Sequence, residues 1–221
     1  MASREAIDVE QARELVSDQL LWPSVRTFLW AFASQIHPTW LADLKGDTSV
    51  PSPLPADSSP RVQHYILSRL GVEPCFHPFP KEDGSRLLLL DAETLDAVAK
   101  WLGALLCADA LRHVTSGATV RALKSYLPGI YPEVFSYTVY FAGLHLPVKA
   151  AGNAEEVVAL GYDYLLAALS GLPEPLLHRF QLKLPKTLSG STAKHSPDPQ
   201  ALTCIEKLLK LKFPAAHQLC C

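Results

Sequence analysis

Apolar residues recur at intervals of three and four along most of this 221-residue chain, the spacing that gathers them on one face of an α-helix. From Arg4 to Leu21, Ile7, Ala12, Leu15, Val16 and Leu20 stand among Glu5, Asp8, Glu10, Glu14 and Asp18, which predicts an amphipathic helix with an acidic face. Pro23 is expected to break it, and Ser24 to cap a second, mostly buried helix whose Val25, Phe28, Leu29 and Phe32 form a wide apolar stripe. From Lys45 to Pro60, Gly, Asp, Ser and Pro crowd together and no regular element is expected, so this is read as a surface loop or linker. Ser59-Pro60 then has the form of a cap followed by proline at the first helical position, opening a short helix with Val62, Tyr65, Ile66 and Leu70 that Gly71 ends.

A second loop, Glu73 to Arg86, leads into Leu87-Leu88-Leu89-Leu90, too short a run to classify by period and read as strand or buried coil. Asp91 to Val114 carries the strongest helical pattern, with Leu95, Val98, Leu102, Leu105, Leu106 and Leu111, and is expected at the centre of the core. A helix over 117–127 closes at Pro128-Gly129, and Pro132 stands where another could begin. Val134 to Phe141 alternates in a β-like way and leaves strand and helix open. Asn153-Ala-Glu-Glu156 has capping-box spacing ahead of Val157, Leu160, Tyr164, Leu165 and Leu169. Phe180 to Leu184 alternates up to Pro185, which suits a short edge strand, and Asp198-Pro199 opens a last helix with Leu202, Ile205, Leu208 and Leu209 on one side. The whole reads as a mainly all-α fold with room for one short β-hairpin or edge strand. An N-terminal helical segment (1–44) and a Pro/Ser-rich loop (45–60) precede a main helical domain (61–221), the two helical parts packing as one unit.

Composition narrows the function. Nearly half the residues are apolar (48%), enough for a sizeable core, and the formal charge of −2 offers phosphate backbones no general attraction, so no nucleic-acid partner is expected. That charge is polarised: residues 1–100 carry 9 basic and 14 acidic side chains, residues 174–221 carry 7 and 3. The segregation suits solvated helix faces or complementary docking surfaces. The longest uncharged stretches, Thr27 to Ala42 and Val134 to Val148, fall short of the ~20 residues a transmembrane helix needs. The charged start of the chain lacks the apolar run of a secretory signal, and a cytosolic, reduced compartment is expected for the five cysteines.

No constellation for catalysis stands out. There is no C-x-x-C or H-E-x-x-H pattern, no phosphate-binding glycine motif and no G-x-S-x-G. Cys75-Phe-His77 is read as an ordinary loop contact rather than a metal site, and Cys220-Cys221 as a frayed terminus rather than a lipidation signal. A thiol-dependent hydrolase would have to use Cys75 or Cys107 with a histidine and a depressed thiol pKa. The expectation is therefore a non-enzyme with no cofactor and no metal. Trp22, Phe28, Trp30, Phe32 and Trp40 crowd one region, as core or as a binding anchor. Trp30, Trp40, Lys207, Lys210 and Lys212 are the candidate partner-binding residues.

Three stretches resemble the K component of bacterial type III secretion systems, the YscK/PscK (SctK) family. They are Ile36-His-Pro-Thr-Trp-Leu41; Trp101-Leu-Gly-Ala-Leu-Leu106 with Leu111-Arg-His-Val114 and the Val120, Leu123, Leu127 helix; and Leu176-Leu-His-Arg-Phe-Gln-Leu-Lys-Leu-Pro185. They run in the family's order from about residue 36 to 210, while the acidic first helix and the Pro/Ser-rich loop have no counterpart there. The resemblance favours helix over 134–141. It implies a cytoplasmic sorting-platform adaptor joining the cytoplasmic domain of the inner-membrane ring protein to the pod protein, held at the membrane through protein contacts alone. A secretion chaperone is the competing binding function, disfavoured because such chaperones are smaller, acidic α/β dimers.

Overall fold

The computed structural model describes residues 21–44, 59–73, 75, 77–144, 146, 153–189 and 199–221. Among them every regular element is helical. The expected acidic helix up to residue 20 and most of the Pro/Ser-rich loop lie outside the described residues. Helix α1 (Leu21–Trp30) buries Leu21, Val25 and Phe28. Ser24 does not cap it: Pro23 and Ser24 both lie inside α1, and the Pro23 carbonyl accepts the Thr27 hydroxyl at 3.0 Å; the preceding helix that Pro23 was expected to break lies outside the described residues. A 3-10 turn (Phe32–Gln35) and the one-turn helix α2 (Pro38–Leu41), capped by His37, follow.

Helix α3 (Pro60–Arg69) begins as its sequence predicts, with Ser59 Oγ accepting the Val62 amide at 3.4 Å. Gly71, at φ 68°, ends it: its amide donates to the Ser68 carbonyl at 3.1 Å and that of Val72 to Leu67 at 2.8 Å, closing the last turn. Leu87, Leu88 and Leu89 form neither strand nor coil but complete a 3-10 turn (Ser85–Leu89) that extended Leu90 caps, and all four leucines are buried on every side and so lack any period. The single helix expected over 91–114 is two, α4 (Ala92–Leu106) and α5 (Ala108–Arg112), because Cys107 leaves helical geometry between them. Helices α6 (Gly117–Tyr126) and α7 (Val134–Phe141) follow, the second deciding the open reading of 134–141 as helix.

Helix α8 (Ala154–Leu169) carries the predicted box with one change: Asn153 Oδ1 accepts the Glu156 amide at 2.9 Å, while the Glu156 carboxylate reaches the Asn153 side-chain amide at 3.0 Å. The edge strand expected at Phe180–Leu184 is instead the end of helix α9 (Glu174–Lys183). Leu176, Phe180 and Lys183 share its buried face at helical spacing, and Leu182 is buried as well, which imitates alternation. After α10 (Lys186–Ser189) come α11 (Pro199–Lys212) and α12 (Pro214–Cys220), so the tail is a further helix rather than a frayed end, with Cys220 buried.

The core is organised around the α4–α8 pair. A Cβ placed on Gly103 would stand 1.9 Å from the Val157 carbonyl oxygen, and one on Gly161 would stand 1.8 Å from that of Ala99. Two glycines thus let the helix backbones touch, and α11 packs against both helices. Residues 21–41 are fastened to α9: the His37 amide donates to the Leu182 carbonyl at 2.8 Å and Trp40 Nε1 to that of Leu184 at 3.0 Å. Phe79, in left-handed backbone at φ 53° yet fully buried, meets Phe28 edge to face at 5.7 Å.

Candidate partner-binding surface

The aromatic crowd divides by function of position. Phe28 and Phe32 are fully buried and meet edge to face at 5.4 Å, so they belong to the core. Trp30, at the end of α1, is 59% exposed and leans edge-on against Trp22 at 5.8 Å. An indole held this way presents a large rigid apolar area at small entropic cost, the property of an interface anchor. Trp40 is instead half-buried, its indole N–H given to Leu184 and its ring lying under Lys186 Nζ at 5.5 Å. It therefore fastens α2 to the end of α9 and has little surface to offer a partner.

The lysines of α11 divide too. Lys210 is exposed; Lys207 is exposed with Nζ 5.8 Å from the Phe141 ring. Lys212 is tied down: Nζ lies 2.6 Å from Glu133 Oε1, 4.4 Å from the Trp101 ring centre and 4.0 Å from that of Tyr137. It bridges α11 to α4 and α7 and does not join Lys210 in a free docking face. Lys212→Ala should cost about 1–2 kcal/mol from the lost cation–π and ion-pair contacts, read as a fall of several degrees in the thermal midpoint, whereas Lys210→Glu should leave the midpoint unchanged.

Sequence reasoning missed the work of the two basic residues in the Arg179-Phe-Gln-Leu-Lys-Leu-Pro185 stretch. Arg179 is 4% and Lys183 1% exposed. Arg179 Nη1 donates to the Phe28 carbonyl at 2.9 Å and its guanidinium lies over the Phe28 and Phe32 rings; Lys183 Nζ donates to the Leu88 and Leu90 carbonyls at 2.5 and 2.9 Å. Basic residues four apart are normally read as a solvated face, and the signal against that reading is their placement among Leu176, Phe180 and Leu184. Exposed Val139 and Tyr140 on α7 and Tyr126 on α6 were missed as well.

The groups that could do chemistry are otherwise engaged. His77 Nδ1 accepts the Phe79 amide at 3.1 Å and Nε2 stands 3.3 Å from Asp83, which occupies both ring nitrogens; burial holds its pKa below the usual value. Burial pushes the Cys107 thiol up to about 11, with the Glu156 charge adding to the rise, and Cys220 up to about 12. Cys75 is raised by burial as well, against the pull of Arg179. These are protonated thiols at neutral pH. Among the described residues no three His, Cys, Asp or Glu side chains converge as a metal site, and no helix is long and apolar enough to cross a membrane.

No curated protein and no solved structure matches the chain. The model of one protein family does, and it covers residues 26–218, taking in all three stretches whose resemblance was noted and leaving out most of the acidic N-terminal segment. The chain belongs to the YscK family, described as YOP proteins translocation protein K, and is a type III secretion protein.

Proposed function

We propose that the protein is a non-catalytic cytoplasmic adaptor of a type III secretion sorting platform. One surface engages the cytoplasmic domain of the inner-membrane ring protein and another the pod protein, which holds the adaptor at the inner face of the membrane through protein contacts. Membership of the YscK family over residues 26–218 carries this reading. The solvent-exposed Trp30, Val139 and Tyr140 support it, since large apolar side chains left in water serve binding. The raised thiol pKa values of half-buried Cys75 and buried Cys107 weigh against a thiol hydrolase, whose nucleophile would need a lowered one.

The test is a pull-down of the purified full chain against the ring protein's cytoplasmic domain and the pod protein of the same organism. Specific capture of both is the expected result. Capture of neither folded partner would overturn the adaptor reading.

A further inference from the structure

A guanidinium carries five N–H donors and keeps its charge at any physiological pH. Arg179 is buried, which pulls its pKa downward, and only part of its donor set is satisfied. Nη1 is bonded to the Phe28 carbonyl, but Nε has no hydrogen-bond partner. No carboxylate among the described residues forms an ion pair with it. A buried cation with an orphaned donor is costly unless something completes it.

The same side chain lines a groove of about 530 Å3 between the end of α1, helix α3 and the turn that follows. Leu29, Leu67 and Val72 give it apolar walls, and Trp30 forms an exposed lip. His64 and Glu73 are the other ionisable groups on it, and Glu73 forms no ion pair with Arg179. An adjoining groove shares Gly71 and Glu73 and runs along α9 past His178, with Glu174 at its far side. A small free anion would leave the apolar walls and the indole in water, and a run of phosphates would find only Arg179 and His64 as basic groups among the residues that line it. A peptide segment that brings one acidic side chain flanked by apolar ones suits both the apolar walls and the guanidinium that no carboxylate among the described residues pairs with.

The geometry points to this groove as the seat of an acidic, apolar-flanked segment of a partner protein, whose carboxylate pairs with the Arg179 guanidinium at the groove wall. The inference rests on the adaptor reading and names one of its contact surfaces. Arg179 also holds α9 to α1, so the test avoids replacing it. The full chain, carrying the photo-crosslinker p-benzoylphenylalanine at exposed position 64, is irradiated with the ring protein's cytoplasmic domain or the pod protein, and the linked peptides are mapped by mass spectrometry. Alongside, the affinities of Trp30→Ser and His64→Glu are measured. A link to a partner segment containing Asp or Glu is expected, with a loss of affinity of tenfold or more in both variants at an unchanged thermal midpoint. Three results would overturn the inference while the adaptor reading stands: full binding by both variants, a link to a segment without an acid, or a link to residues 1–20 of the chain's own acidic start. If the unaltered chain binds neither partner, the adaptor reading falls and this inference with it.

Discussion

Gly103→Ala is expected to lower the thermal midpoint by about 6–12 °C, the equivalent of about 3 kcal/mol for a chain of this length. On an exposed helix the same change would stabilise by up to about 1 kcal/mol, because alanine is the better helix former. The sign reverses here because the added methyl would sit 1.9 Å from the backbone oxygen of Val157, and a backbone carbonyl cannot rotate away as a side chain can. Helices α4 and α8 must part, and the residues packed along them, Leu95, Val98, Leu102, Leu165 and Leu169, lose contact together. Gly161→Ala should do the same from the other side, with Ala99 as the obstacle. Gly171→Ala, where nothing lies within 4 Å, is the control and should change little. A midpoint for Gly103→Ala within a degree or two of the control would mean that the helices separate freely and that the close crossing is not what holds the core.

Stability should rise with pH between about 7 and 9, and Lys183→Met should remove much of that rise. Burial drops the Lys183 pKa from 10.5 to about 7, outweighing the opposing Asp91 charge. Between those two values the unfolded chain binds a proton that the native state does not, so the free energy of unfolding increases by up to about 1.4 kcal/mol per pH unit. Below pH 7 the amine is charged in both states and the folded protein bears the full penalty of burying it. The neutral amine still donates to the Leu88 and Leu90 carbonyls, which is why the residue stabilises most at alkaline pH. Lys183→Met keeps the aliphatic stem but orphans both carbonyls. It should cost about 3 kcal/mol at pH 9 and clearly less at pH 6, where it also removes a buried charge. Urea denaturation of both proteins across this range reads the difference directly. Parallel curves would show that Lys183 is solvated and does not clamp α9 to the 85–89 turn.

Helices whose burial is one-sided were legible. Ser59 and Asn153 cap the helices they were expected to open, and Asp91, read as the first residue of its helix, caps it. The failures share a cause. Leu87–Leu90 and Phe180–Leu184 are buried on more than one side, and full burial erases the period from which a helix is distinguished from a strand. The break at Cys107 has no proline or glycine to announce it. Of the candidate partner residues, Trp30 and Lys210 stand in solvent, whereas Trp40 and Lys212 are spent on contacts inside the molecule. Two aromatic residues ten positions apart, or two lysines two apart, look alike until the neighbours that cover one of each pair are known.

The order of apolar and polar residues settled that this chain folds mainly as helices and where several of them begin, because spacing and caps are local properties of the chain, while the family showed in three motifs and the match over residues 26–218. Only the tertiary structure decided that the backbones of α4 and α8 touch at Gly103 and Gly161, that Arg179 and Lys183 lie inside rather than on a charged face, and that the groove beside Trp30 is lined by a guanidinium with no carboxylate partner among the described residues. Each of these depends on which distant segment packs opposite, and burial by a distant segment leaves no mark on the spacing of residues along the chain.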